Sequence, residues 1–373
     1  MVRLIQSILL NYSICAHTPL VKVNRDMLTA IQQLHETVQH NCHIADASHA
    51  GDYTLCIYLL KMRELYRWEQ QTSFSKTLGN EKVGTWLRQR ESLWEKLEDS
   101  EFKKISIGQE EFQPFHTNEI NSVLKDHNLV YSGGLGINNR PHFFLAELES
   151  YEQHDDYQLY IVGKEHARDM AAPPAMSINN TIFIRKESFR RLLWEKLETW
   201  RWNRPDNALG RAFACYDCET HLEEALNQMC DCEIKNVIQH EHGEIKAGQL
   251  LGTKWEELLY EVPHSKLSLY LRALRDMLAD HLTTLPILLK QRHPPSIHFY
   301  FGNLTNLRKD LAPQLLIAYQ HWHETGSIDQ LKSTIEQGEK HWTKICQSIL
   351  QTYQNSDTLP LDSLLELIEN NRL

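Results

Sequence analysis

The chain has 373 residues, 42% of them apolar and 24% charged, with a net charge of −10 when its 20 histidines are neutral. This is ordinary globular composition, which excludes disordered and fibrous classes and leaves room for two or three packed units at ~100–200 residues per domain. The acidic balance speaks against a nucleic-acid partner, which needs a basic footprint, and against an anionic membrane surface.

Met1–Leu10 is apolar and carries Arg3, as a signal peptide would, but Gln6 and Ser7 interrupt it and no small-x-small cleavage site follows. Val2, Ile5, Leu9 and Tyr12 share one helical face, which predicts a packed amphipathic helix. No run of ~20 apolar residues occurs, so no spanning helix is expected and the chain reads as soluble. Asn24 is placed to cap a helix carrying Met27, Leu28, Ile31, Leu34 and Val38. A second helix is predicted from Tyr53 to Trp68, and the polar stretch Gln70–Gly79 is a loop. Helices follow at Val83–Leu97 and Asn118–Leu124, the latter with Thr117 as its cap.

The middle of the chain changes character. Leu129–Tyr131, Pro141–Glu149, Tyr157–Val162 and Thr181–Arg185 read as strands. The second and third predict an antiparallel hairpin with Ser150–Asp156 as its loop. Gly163–Met176 is expected to hold a short helix stopped by Pro173 and Pro174. Helices then return: a stripe of Phe189, Leu192, Leu193, Leu197 and Trp200, then Glu219–Leu251, Lys266–Leu289, Asn303–Trp322, Ile328–Tyr353 and Leu361–Ile368. The expected fold is α+β and predominantly α-helical. A helical N-terminal unit (1–128) and a helical C-terminal unit (191–373) flank a small antiparallel sheet (129–190).

Eight cysteines are scattered through a chain without an export signal. Thiols rather than a disulfide framework are expected, in a reducing cytoplasm.

Three polar groupings stand out. With Leu222 at the centre of a face of the longest helix, Leu226, Met229, Val237 and Leu251 fall in a stripe about 100° wide. So do Glu233, His240 and Glu244. Buried charges need partners. His and Glu four residues apart can share a metal, as in helical iron and zinc sites, and the plainer alternative is a hydrogen-bonded network. Asp46-Ala-Ser-His49 has the carboxylate-x-x-His spacing of half a di-iron site, and Glu233, His240 and Glu244 would supply an imperfect second half. Asp52, eleven residues before Arg63, reads better as a helix cap. In Gly163–Asp169, Glu165, Arg168 and Asp169 are placed to bind a substrate or orient a histidine, or else the acids simply favour a helix start. Cys215-x-x-Cys218 with Cys230-x-Cys232 is a partial zinc pattern, but a helix would point the second pair apart. Ser132-Gly133-Gly134-Leu-Gly136 reads as a turn between strands rather than a phosphate loop, because no helix follows.

The run Gly51–Glu69, Arg140-Pro-His-Phe-Phe-Leu-Ala-Glu147, Glu165–Asp169 with Pro173-Pro-Ala-Met176, and His240-Glu-His-Gly-Glu244 together resemble an uncharacterised family of bacterial cytosolic proteins. The resemblance spans most of the chain. It implies a bacterial cytoplasmic setting and brings no activity or cofactor with it.

The function expected is that of a helical metal- or cofactor-dependent enzyme acting on a small molecule. Asp46, His49, Glu233, His240 and Glu244 would be its metal-binding heart, with Glu165, Asp169 and Glu244 as catalytic groups. Carboxylate and imidazole ligands suit iron or manganese better than zinc. The rival is a non-catalytic interaction or scaffold protein whose buried charges are structural.

Overall fold

The computed structural model describes residues 25–136, 140–178, 180–356 and 358–373. The helix expected at Met1–Leu10 and the Asn24 cap lie outside them.

Helix α1 (Arg25–His49) leads to α2 (Leu55–Glu69) and α3 (Asn80–Trp94). An unforeseen ribbon of β1 (Ile105–Ile107) and β2 (Glu110–Phe112) precedes α4 (Thr117–Leu124). Leu34, Val38, Cys42 and Ala45 make one face of α1, and they pack on Leu129, Tyr131, Phe143, Leu145 and Ala167 of the sheet. Thr117 begins α4 instead of capping it; its hydroxyl donates to the Gly133 carbonyl at 2.8 Å and accepts from the Gly133 amide at 3.0 Å.

The main sheet comprises β3 (Leu129–Leu135), β4 (Pro141–Gln153), β5 (Gln158–Arg168), β6 (Ala175–Ile178) and β7 (Thr181–Arg185), in the order β3-β4-β5-β7-β6. The β4–β5 hairpin forms as expected but is longer; its strands take up most of the predicted loop. Two expectations fail here. The sheet is mixed rather than antiparallel, because β7 runs parallel to β5, with β6 folded back between them in sequence. And no short helix occupies Gly163–Met176, since β5 continues to Arg168. The reason is irregular pairing. Phe144 faces Arg168 and Leu145 faces Ala167, but Ala146 faces Glu165 and Leu148 faces Val162. Bulges break the two-residue alternation by which a strand is recognised, and they re-aim side chains. The sheet curls until its edge strands approach, with Ser132 Oγ 3.9 Å from Met176 Sδ and Ile178 packed against Gly134. Inside the curl lie Val130, Phe144, Ala146, Tyr160, Val162 and Phe183.

Helix α5 (Lys186–Asn203) follows β7 without a loop, and α6 (Ala208–Phe213) and α7 (Leu222–Leu251) come next. Phe189, Leu193 and Leu197 of α5, with Leu226 and Met229 of α7, cover Leu159, Ile182 and Ile184. The rest is helical: α8 (Thr253–Glu261), α9 (Lys266–Ala279), a π-helical turn (Asp280–Thr284), α10 (Leu285–Gln291), α11 (Pro294–Asn303), α12 (Asn306–Leu311), α13 (Pro313–Thr325), α14 (Asp329–Gln354) and α15 (Leu361–Glu369). The predicted Lys266–Leu289 helix is thus interrupted by the π turn. The predicted Asn303–Trp322 helix breaks before Pro313, whose ring cannot donate the backbone hydrogen bond a continuous helix needs. Trp255, Leu274, Leu278 and Trp342 centre this unit's core. The fold is α+β and mostly helical, and among the described residues no helix is long and apolar enough to cross a membrane.

Candidate functional site

The end of β7 and the start of α5 meet β5 through one buried ion pair. Arg185 donates from Nε to Glu165 Oε1 at 3.2 Å and from Nη2 to Oε2 at 2.6 Å, and neither side chain reaches solvent. Ser188 adds its amide at 3.2 Å and its hydroxyl at 2.5 Å, both to Glu165 Oε1, so Glu165 also satisfies the open end of α5. The Arg185 guanidinium lies 4.5 Å from the centre of the Phe144 ring. Burial alone would push the Glu165 carboxyl up, but Arg185 and then Arg168 outweigh it and hold it low.

Beside this pair opens a cleft of about 790 Å³. Its walls are His35 of α1, Glu64, Arg67 and Trp68 of α2, the following loop through Phe74, residues 163–166 and Arg168 of β5, Glu187, Arg190 and Arg191 of α5, and Glu223 of α7. The loop is tied down on both sides. Glu223 Oε1 accepts from the Phe74 amide at 2.7 Å, and Arg67 Nη1 donates to the carbonyls of Ser73 at 2.6 Å and Lys76 at 3.0 Å. A shallower depression on α3, between Thr85 and Lys96, is lined by exposed side chains alone.

Most charges around the cleft have partners. Glu64 pairs with Arg63 and Arg67, Glu149 with Lys186, and Glu223 with Arg190. Arg191 pairs with Glu195 and donates to the Ala171 and Ala172 carbonyls. Arg168 differs. It is 1% exposed, its guanidinium sits 5.0 Å from the centre of the Trp68 ring, and its Nε and Nη2 have no hydrogen-bond partner among the described residues. Those two nitrogens form one edge of the guanidinium, the same edge that Arg185 presents to Glu165. Burial and then the adjacent Arg191 push the Arg168 pKa down to about 10, a sign of a cation short of negative charge. Glu187 accepts the Glu165 amide on Oε2 at 2.6 Å; burial and the Glu165 charge push its carboxyl up.

The other residues singled out in the sequence lie apart. Asp169, just past β5, accepts from the amides of Phe143 at 3.2 Å and Ala172 at 2.5 Å and faces His142 Nδ1 at 3.3 Å. Asp46 takes the Met170 amide on both oxygens, at 2.9 and 3.0 Å. Burial and the neighbouring Asp169 push Asp46 well up; Asp169, against its own burial, is held low by His142 and Arg185. His49 Nδ1 is 3.1 Å from Asp52, and Asp52 binds Arg140 at 2.7 Å instead of capping α2, whose cap position is Thr54. Glu233 accepts from Ser296 Oγ at 2.5 Å and Asn236 at 2.9 Å. His240 contacts Asp280 at 2.7 Å and Glu244 at 3.4 Å, and Asp280 also takes Arg308 and the Tyr300 hydroxyl.

Asp46, His49, Glu233, His240 and Glu244 therefore do not converge, and the expected iron or manganese centre has no ligand set. Among the described residues no group of three or more His, Cys, Asp or Glu side chains is placed to hold a metal ion, the cysteines of the zinc pattern included. The reason is length. A 30-residue helix runs about 45 Å, so groups seven residues apart on α7 lie ~10 Å apart and meet different neighbours. Lys164, Trp68, Arg185 and Glu187 escaped sequence reasoning. The only available signal was the dense basic and acidic run of Lys164–Arg168 and Arg185–Arg191.

The chain matches the N-terminal domain of a family of unknown function, DUF6866, over residues 33–185, and that family's C-terminal domain over residues 190–371. No curated protein and no solved structure matches it.

Proposed function

Since the chain belongs to the DUF6866 family, a family of unknown function, we propose its role from the cleft: the protein binds a small molecule by carboxylate or phosphoryl oxygens that reach the buried Nε–Nη2 edge of Arg168. The observation that carries this is the buried guanidinium whose Nε and Nη2 have no partner among the described residues. Leaving a buried charge without its partner costs about 3–5 kcal/mol, and a guanidinium edge matches two oxygens of one acceptor. The cleft volume of about 790 Å³ falls in the ~300–1,000 Å³ range of small-molecule sites. A reducing cytoplasmic setting goes with this function, supported by the seven free thiols among the described cysteines.

The test is titration of the full chain with phenyl phosphate and with benzoate, read by tryptophan fluorescence because Trp68 lies against Arg168. At least one ligand is expected to saturate. Arg168→Lys keeps the charge and loses the edge, and should weaken binding roughly tenfold or more, since a charge-assisted hydrogen bond is worth ~1.5–3 kcal/mol. Saturation by neither ligand, or equal binding by the folded variant, refutes the proposal.

A further inference from the structure

Resting on the oxyanion site just described, we propose that its ligand is a small monocarboxylic acid, whose flat carboxylate enters in the plane of the Arg168 guanidinium, and that the site selects against tetrahedral anions.

Two oxygens held by Nε and Nη2 lie in the plane of the guanidinium. In a carboxylate, the carbon that bears the two oxygens and the bond to the rest of the molecule lie in that plane as well. In a phosphoryl group, the two remaining substituents project out of the plane, one to each side. One side of the Arg168 guanidinium is already occupied: the Trp68 ring lies against it, with 5.0 Å between Cζ and the ring centre. A tetrahedral anion must therefore turn either its third oxygen or its organic arm toward the indole, whose π face repels an oxyanion. A carboxylate turns nothing toward it. Burial sharpens the difference. Nε and Nη2 are shut off from solvent and have no partner among the described residues, so a group that reaches them has to part its neighbours, and a flat group parts them least. The chain holds the same arrangement with the anion in place. The Arg185 guanidinium lies 4.5 Å from the centre of the Phe144 ring, and its Nε–Nη2 edge takes both carboxylate oxygens of Glu165, at 3.2 and 2.6 Å.

Charge points the same way. Seven carboxylates and six lysine or arginine side chains line the cleft, so its walls hold no surplus of positive charge to offset a dianion. Like-charge repulsion from those walls grows with each charge on the ligand, and a single negative charge meets the least of it. The organic body of the acid follows from size and lining: about 790 Å³ far exceeds one carboxylate group, and Trp68 and Phe74 offer ring surface within it.

The experiment ranks three probes on the full chain by calorimetry at about pH 8, above the second ionisation of a phosphate ester at about 6. All three carry one benzene ring. Benzoate is flat and singly charged, benzenesulfonate is tetrahedral and singly charged, and phenyl phosphate is tetrahedral and doubly charged. Benzoate should bind at least about tenfold tighter than either of the others, as expected if a tetrahedral anion gives up one charge-assisted hydrogen bond. Trp68→Leu removes the π face beside the guanidinium and should narrow the gap between benzoate and benzenesulfonate. Phenyl phosphate or benzenesulfonate binding as tightly as benzoate overturns the carboxylate assignment while the oxyanion site stands. A gap that Trp68→Leu leaves unchanged overturns the selection by shape. If none of the three probes binds, the oxyanion site itself fails. Matching circular dichroism and melting of the variant exclude misfolding as the cause of a change, and the ranking on the unaltered chain decides the ligand class by itself.

Discussion

Arg185 and Arg168 show how much a neighbour decides. Both are buried beside the same strands and both lie against an aromatic ring; one finds Glu165, while Nε and Nη2 of the other find no hydrogen-bond partner among the described residues. Sequence reasoning placed Glu165, Arg168 and Asp169 to bind a substrate or orient a histidine, or else at a helix start; all three are buried along or just past a strand. It could not say which would be paired, because pairing depends on a strand twenty residues further on. His240 is the clearest case of a residue whose partners decide its state. Burial pulls its pKa down, but Asp280 and Glu244 outweigh burial and hold it well above its ordinary 6.5. A histidine raised on folding contributes stability fully below the unfolded value and loses it as pH climbs to the folded one. His240→Gln should therefore be most destabilising below pH 6.5 and progressively less so above it. Urea unfolding of both proteins across that range checks this; a difference that grows with pH contradicts it.

At the level of elements, helices with a clean apolar stripe were legible. The helices at α2, α7 and α14 fall where the spacing put them to within a few residues, α1 runs past the last predicted stripe residue, Val38, to His49, and β7 has the predicted ends. What stayed hidden had no local signature. The π turn at Asp280–Thr284 contains neither glycine nor proline, and the parallel pairing of β7 with β5 is not written in either strand. The π turn instead leaves its mark on α7. A Cβ on Gly243 would run into the Ala279 carbonyl oxygen and Thr283 Oγ1, whereas one on Gly248 would meet nothing within 4 Å among the described residues. Gly243→Ala should thus cost ~1–3 kcal/mol by overpacking. Gly248→Ala, in the same helix, should stabilise by ~0.5–1 kcal/mol through helix propensity. Equal effects of the two changes in chemical denaturation would mean that α7 does not approach the π turn this closely.

Across the whole molecule, the metal reading required α1 and α7 to share a site. They instead serve different neighbours: α1 packs on β4 and β5, and α7 on α5, α9, β6 and β7. The cleft draws on both halves of the chain, with Trp68 and Arg168 before residue 185 and Arg190, Arg191 and Glu223 after it. Ligand should therefore stabilise the chain as a unit, by about 2.7 kcal/mol at a hundredfold excess over Kd. Melting with and without benzoate should show one shifted transition, and a shift confined to one of two transitions would place the ligand elsewhere.

The most direct test of the oxyanion site watches the guanidinium itself. In nitrogen-15 spectra of the arginine side chains, the Arg168 Nε–H signal can be assigned as the one missing from Arg168→Lys. Benzoate should move that signal downfield and saturably, because a charge-assisted hydrogen bond forms on the edge that Nε shares with Nη2. The Arg185 signal, already committed to Glu165, should stay in place. Saturating ligand that leaves Arg168 unmoved, or that moves other arginines in its stead, would contradict the account.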